Sequence, residues 1–212
     1  MSNIKNILKK VQNKYIHEIL KVVTKVSKEE NKSAYIVGGF VRDLIMDKEL
    51  NDIDIMVAGD GIDFAKKIAN EMGVKKIIPF EKFGTALIPN KNIQVEIASA
   101  REEKYNSESR KPSKILYTDL DGDLLRRDFT INAMAMHVSG EKFGLLTDPY
   151  NGLADIDNKI LKTPLDPDET FSEDPLRMMR AAYFSSKLGF KIEEKCFESM
   201  KRQSERIKIV SW

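Results

Sequence analysis

Two aspartates set two apart in an otherwise apolar run, Asp52-Ile53-Asp54-Ile55-Met56-Val57, limit what this chain can fold into. Such alternation reads as a β-strand, and a strand's period of two puts Asp52 and Asp54 on one face. Carboxylates held that way repel each other unless a cation lies between them. The arrangement suits divalent-metal and phosphate chemistry. Upstream, Ala34-Tyr35-Ile36-Val37 reads as a short buried strand. Gly38-Gly39 then breaks it where the backbone can approach a bulky group with no Cβ in the way. A short helical piece bearing Arg42 and Asp43 leads on to the second strand.

The other segments surround this stretch. Apolar residues from Ile4 to Val26 recur at helical spacing, which predicts one long amphipathic helix over Ile4 to Glu30 with a solvated, Lys-rich face. A second helix is expected over Ile62 to Met72, closed by Gly73. Val74 to Phe80, Thr85 to Pro89 and Ile93 to Ala100 read as strands. Helices and strands in this order predict a mixed sheet with helices packed on it. Glu96 lies inside the third of these strands. It is either an exposed edge position or a third carboxylate beside the Asp pair, since an unpaired acid among apolar residues is unfavourable.

The polar stretch Arg101 to Asp119 has no period and reads as a mobile loop. Asp123 to Met134 is spaced for a buried helix or a helix–strand junction, yet holds Arg126, Arg127, Asp128, Thr130 and Asn132. Phe143 to Thr147 reads as a strand, and Leu153 to Ile160 as a short helical piece. Pro-rich Thr163 to Asp168 marks a boundary. Beyond it two helices are expected, one capped by Ser172 and ending at Gly189, the other over Glu193 to Ile207. On the first, Asp174, Arg177 and Arg180 share a stripe, leaving Leu176, Met179, Ala182 and Tyr183 for the core.

With 212 residues the chain can bury a sizeable core. A net charge of +2 gives no global basic field, so nucleic-acid contact would depend on local patches of its 35 Lys and Arg. The single Cys196 excludes an internal disulfide and suits a reducing cytoplasm. Neither a signal peptide nor a membrane-length apolar run is evident.

Four motifs in order make the chain resemble the class II tRNA nucleotidyltransferase and bacterial poly(A) polymerase family. They are Gly38-Gly39-Phe40-Val41-Arg42-Asp43 with Asp52-Ile53-Asp54; Arg126-Arg127-Asp128-Phe129-Thr130-Ile131-Asn132-Ala133; Asp148-Pro149-Tyr150-Asn151-Gly152 with Asp155; and Glu173-Asp174-Pro175-Leu176-Arg177-Met178-Met179-Arg180-Ala181. The resemblance runs from about Ala34 to Trp212. It implies an α+β architecture: an N-terminal helix (1–33), a polymerase-beta-like nucleotidyltransferase palm or head (34–160) and an all-helical neck (161–212).

The same resemblance implies a Mg²⁺-dependent, template-independent transfer of CMP or AMP from CTP or ATP to the 3′ end of tRNA. Asp52 and Asp54 would bind the metal, and with Glu96 they are the candidate catalytic acids. Gly38 and Gly39 would turn backbone N–H groups to the phosphates. Arg42 would add charge at the triphosphate, and Arg127 and Arg126, with Asp128 and Asn132 in the same motif, would hold phosphate or ribose oxygens. Asp174 and Arg177 would read the base by its hydrogen-bonding edge, with Arg180 supporting the triphosphate or that pair.

Three features depart from the family. Tyr183 stands where many members have Arg, Asp47 where a Gly is frequent, and the chain stops where members continue into the body and tail that hold tRNA. It therefore reads as the head and neck of a longer protein. A poly(A) polymerase of the same fold is the neighbouring alternative, but Lys75 to Gly84 lacks a clear form of the basic-aromatic signature of those enzymes. A non-catalytic nucleotide- or RNA-binding module is the third reading, and intact metal ligands argue against it.

Overall fold

The computed structural model describes residues 4–9, 11–106 and 109–210. In chain order the first elements are α1 (Lys5–Leu8), α2 (Lys14–Glu29), β1 (Ala34–Val37), α3 (Gly39–Ile45), β2 (Asp52–Val57) and α4 (Gly61–Glu71). Next come β3 (Ile78–Phe80), β4 (Thr85–Ile88), β5 (Gln94–Ser99), β6 (Arg101–Asn106), β7 (Ser109–Tyr117), α5 (Leu120–Leu125), β8 (Ala135–His137) and β9 (Leu146–Thr147). The chain closes with α6 (Gly152–Asn158), β10 (Ile160–Leu161), α7 (Pro167–Glu173), α8 (Leu176–Leu188), β11 (Lys191–Ile192) and α9 (Glu194–Gln203).

Seven strands form one mixed sheet in the order β3-β4-β5-β2-β1-β8-β9. Strand β1 is antiparallel to β2 and β8, whereas β2 and β5 run parallel. The alternation seen in the sequence sorts the sheet into two faces. Ile53, Ile55, Val57, Val95 and Ile97 point into the main core. Helix α2 closes that core with Ile16, Ile19, Leu20, Val23 and Val26, and α4 adds Phe64, Ala65 and Ile68. Each such aliphatic burial contributes roughly 1.5–3 kcal/mol before chain entropy is set against it. The opposite face holds a small cluster of Val37, Met56, Ala100, Leu124 and Ala135. Asp52, Asp54 and Glu96 lie on that second face.

Several expectations change. The single N-terminal helix is two, because Asn13 caps a fresh start: its side chain accepts from the Tyr15 N–H at 3.0 Å. Lys10 lies outside the described residues. The stretch read as a loop is instead the antiparallel hairpin β6–β7, with Arg101 paired to Tyr117 and Glu102 to Leu116. Cross-strand pairing, which no local period announces, orders its polar residues; Ser107 and Glu108 lie outside the described residues. Only Ile78–Phe80 of the strand expected over Val74 to Phe80 is extended. Strand β8 is three residues long, too short to show a period in sequence.

Asp47, where a Gly is frequent in the family, has φ 54, the left-handed region that glycine enters most easily. The third motif braces the fold. Asp148 accepts from the Gly152 and Leu153 N–H groups at 2.7 and 2.9 Å, while Thr130 donates to Asp155 at 2.6 Å.

The region expected to be an all-helical neck over 161–212 is not all helical, since β10 and β11 pair in parallel, and the boundary expected at 160/161 falls inside β10. Ser172 does not cap the long helix; it sits in α7, which Asp166 caps. Asp174 takes the capping part for α8 by accepting from the Leu176 N–H at 3.0 Å. Asp174 therefore precedes α8 and does not share a helical stripe with Arg177 and Arg180. The buried face of α8 is Arg177, Met178, Ala181 and Phe184, and Tyr183 is 55% exposed. The core takes the stripe that meets Phe129 and Phe171, which lies about one residue round the helix from the expected one.

Candidate active site

Parallel pairing of β2 and β5 sets Asp52 opposite Gln94 and Asp54 opposite Glu96. Of the two open readings of Glu96, the structure supports the interior one: it is half-buried and faces Asp54 rather than a free edge, with β4 covering its other side. Burial, Asp52 and Glu96 together push Asp54 up to about 6, against the pull of Arg127. Burial raises Glu96 as well, Arg101 opposes that, and Asp52 adds to it. Among the described residues no three His, Cys, Asp or Glu side chains converge into a ready-made ion cage. The carboxylates gathered here are the Asp pair, with Glu96 beside it.

A cleft of about 160 Å³ opens on these acids, lined by Asp54, Glu96, Arg101, Asp123, Arg126 and Arg127. Asp123 organises its basic side. This carboxylate is fully buried and takes Arg127 on one oxygen, at 2.8 and 3.2 Å, and Arg126 on the other, at 2.7 and 3.1 Å. Burial alone would raise its pKa, but Arg127 and Arg126 outweigh burial and hold it below the usual carboxylate value. Nothing in its apolar surroundings marked Asp123 as part of the site. The available signal was its spacing, three and four residues before the two arginines on a helix.

Gly38 lies between the two halves. Its φ is 70, and a Cβ there would sit 2.8 Å from Arg127 Nη1 and 3.9 Å from Asp54 Oδ2. Only glycine lets the guanidinium and the carboxylate approach across this backbone. Gly39 follows as the first residue of α3.

Arg42, Asp128, Asn132 and Arg180 form a second constellation beside the cleft. Arg42 is buried, donates to both Asp43 oxygens at 2.8 and 2.7 Å, and reaches Asn132 Oδ1 at 2.6 Å. Asn132 passes a hydrogen bond to Asp128 Oδ1 at 3.0 Å, and Asp128 Oδ2 accepts from Arg180 at 2.6 Å. The Arg42 and Arg180 guanidiniums lie 5.1 and 5.0 Å from the Phe184 ring centroid. This relay fastens α8 to α3. Arg42, expected at the triphosphate, is engaged here and does not line the acidic cleft.

Arg177 is also turned inward. It donates to the carbonyls of Arg126 at 2.7 Å and Thr170 at 3.3 Å, and to Glu173 at 3.1 Å. Asp174 stands two residues before the start of α8, its backbone carbonyl accepting from the Arg177 N–H at 3.0 Å. The pair therefore stays adjacent through capping geometry.

A carboxylate pair on one strand thus stands across a glycine from two arginines, with α8 fastened to α3 beside them. Residues 34–162 match the family model described as the poly A polymerase head domain. The chain belongs to this family. An A-adding tRNA nucleotidyltransferase of Aquifex aeolicus is 42% identical over 169 residues, which is 80% of this chain and 20% of that protein. A CCA-adding enzyme of Lactobacillus helveticus is 37% identical over 179 residues, 84% of this chain and 43% of that protein. The Thermotoga maritima CCA-adding enzyme, solved with tRNA, superposes with a TM-score of 0.83 at 29% identity, covering 99% of this chain and 47% of that one. The chain spans less than half the length of these relatives.

Proposed function

We propose that this head-domain protein forms part of a tRNA nucleotidyltransferase, adding CMP and AMP from CTP and ATP to the tRNA 3′ end. The observation behind this reading is the Asp52–Asp54 pair set across Gly38 from the Asp123-held arginines. In the reaction the 3′-oxygen forms a bond to the α-phosphorus as the α–β bridging P–O bond breaks. Pyrophosphate departs with the electron pair, and the hydroxyl proton passes to water.

The acids suit Mg²⁺, because burial first, and then Asp52 and Glu96, raise the Asp54 pKa, and a divalent cation would offset that. When bound, Mg²⁺ would lower the hydroxyl pKa and neutralise charge on the triphosphate. Asp52 and Asp54 would hold it, with Glu96 tuning their charge. Arg127 and Arg126, held by Asp123, would bind phosphate oxygens. Asp174 and Arg177 would read the base: a carboxylate accepts from an exocyclic amino group and a guanidinium donates to its neighbouring acceptor. ATP and CTP share that edge pattern; GTP and UTP do not. We place this activity in the cytoplasm, consistent with a lone buried Cys196. Among the described residues no helix is long and apolar enough to cross a membrane.

Incubating the chain with tRNA lacking its terminal CCA and each labelled nucleotide in turn tests this reading. Incorporation of C, A or both as one to three residues supports it. A long poly(A) product would assign the neighbouring polymerase activity instead, and no incorporation in the presence of Mg²⁺ would leave a binding module.

A further inference from the structure

Asp52 and Asp54 open onto different clefts. Asp54 lines the small one with the arginines, whereas Asp52 lines a wider one of about 680 Å³ with Asn51, Gln94, Lys48 and Lys187. In-line displacement puts the attacking hydroxyl and the leaving pyrophosphate on opposite sides of the reacting phosphorus. Two clefts flanking one carboxylate pair give each a separate place. Guanidiniums mark the pyrophosphate side, which leaves the wide cleft for the acceptor strand.

Helix α8 borders that cleft through Lys187. Residues 180, 183 and 187 follow spacings of three and four, so Arg180, Tyr183 and Lys187 share one stripe. Tyr183 is 55% exposed, with its ring set edge-on against Phe184 at 5.3 Å and 61°. Phe184 is itself held by Arg42 and Arg180, so Tyr183 stands on a fixed base. The Lys187 ammonium lies 5.5 Å from the Tyr183 ring centroid. Asp43 and Glu49 add negative charge to the cleft, and the Arg42 guanidinium pairs with Asp43 at 2.7 Å. Stacking, rather than charge alone, must then supply much of the affinity.

We propose that Tyr183 is a stacking platform for a base at the 3′ end of the acceptor RNA, with Lys187 and Lys48 facing its phosphates. This rests on the nucleotidyltransferase reading above and assigns its acceptor subsite. An exposed aromatic ring flanked by cations is the chemistry of single-strand binding, tolerant of sequence because every base has a π-face.

The test uses the full chain, its Tyr183→Ala, Tyr183→Phe and Lys187→Glu variants, and a short fluorescein-labelled RNA ending in CC. Fluorescence anisotropy gives RNA affinity, and steady-state incorporation gives KM for RNA and for each nucleotide. Tyr183→Ala is expected to weaken RNA affinity and raise the RNA KM about tenfold, while Tyr183→Phe restores both, as one stacked base requires. Lys187→Glu should weaken RNA binding and flatten its salt dependence. Nucleotide KM should stay within about twofold. Wild-type RNA affinity in Tyr183→Ala overturns the proposal, as does a raised nucleotide KM with unchanged RNA affinity, which would place the incoming base on Tyr183. If the wild-type chain incorporates nucleotide and Tyr183→Ala does so with an unchanged RNA KM, this inference alone fails. A wild-type chain that neither binds the RNA nor incorporates nucleotide overturns the functional reading and the inference together. Because the Tyr183 side chain is exposed, an unchanged melting temperature separates these outcomes from misfolding.

Discussion

Asp54 on β2 and Glu96 on β5 are direct register partners in the one parallel strand pair of the seven-stranded sheet. Their carboxylates meet on the face away from the main core, with Asp52 two residues along. The crowding is a built-in electrostatic load that a divalent cation would relieve. Asp123 does the converse across the cleft, collecting two guanidiniums on one buried carboxylate.

The load on Asp54 has a pH signature. Its folded pKa of about 6 lies above the ordinary 3.8, so the native state takes up a proton that the unfolded chain releases. Metal-free stability should therefore rise as pH falls from 6 towards 4, by at most roughly 3 kcal/mol from this group. Turnover at limiting Mg²⁺ should move the other way as pH falls, because protons and the cation compete for this carboxylate. Urea melts of wild type and Asp54→Asn across this range check the first point. Equal pH slopes in the two proteins would remove the load from Asp54.

Gly38→Ala should lose activity at least about tenfold and cost about 1–3 kcal/mol of stability. The residue has φ 70, and its new methyl would meet Arg127 Nη1 at 2.8 Å. Steady-state kinetics with a thermal melt decide the matter. A variant as active as wild type would show that the Arg127–Asp54 approach across this glycine is dispensable.

Removing Asp123 leaves two partly buried cations without their shared anion. Asp123→Ala should destabilise the fold by about 3–5 kcal/mol, as breaking a buried pair from one side does. Asp123→Asn keeps the shape and some hydrogen bonds, so it should cost less and raise the nucleotide KM. Denaturant unfolding of both variants is the check, and a change under about 1 kcal/mol in Asp123→Ala would contradict the buried-pair account.

Asp174→Ala should blur nucleotide choice, admitting GTP or UTP relative to ATP and CTP. It also loses the hydrogen bond to the Leu176 N–H, a capping loss of about 1 kcal/mol. Competition among the four nucleotides separates the two effects. Selectivity that stays at the wild-type ratio would sink the base-reading role.

Asp52→Ala should abolish incorporation and leave the melting temperature close to wild type, since this side chain is exposed on the sheet. Gel-resolved primer extension reads the result directly, and residual wild-type rates would take Asp52 out of the metal-binding set.

By itself the sequence determined the local alternatives. Period two placed Asp52 and Asp54 on one face, glycine at 38 permitted a backbone no other residue favours, and the four motifs placed the chain in its family. Tertiary structure decided what sequence separation hides. Strand pairing brought Glu96 to Asp54 across forty-odd residues of chain and turned an apparent loop into the β6–β7 hairpin. Helix packing chose which stripe of α8 is buried, sending Arg177 inward and Tyr183 outward. Asn132 and Asp128 diverted Arg42 and Arg180 into a clasp between α3 and α8. Local patterns fix the face a residue can present, because backbone periodicity acts over a few residues. Which groups meet on that face depends on long-range packing, because burial and charge pairing are settled only when distant elements close on each other.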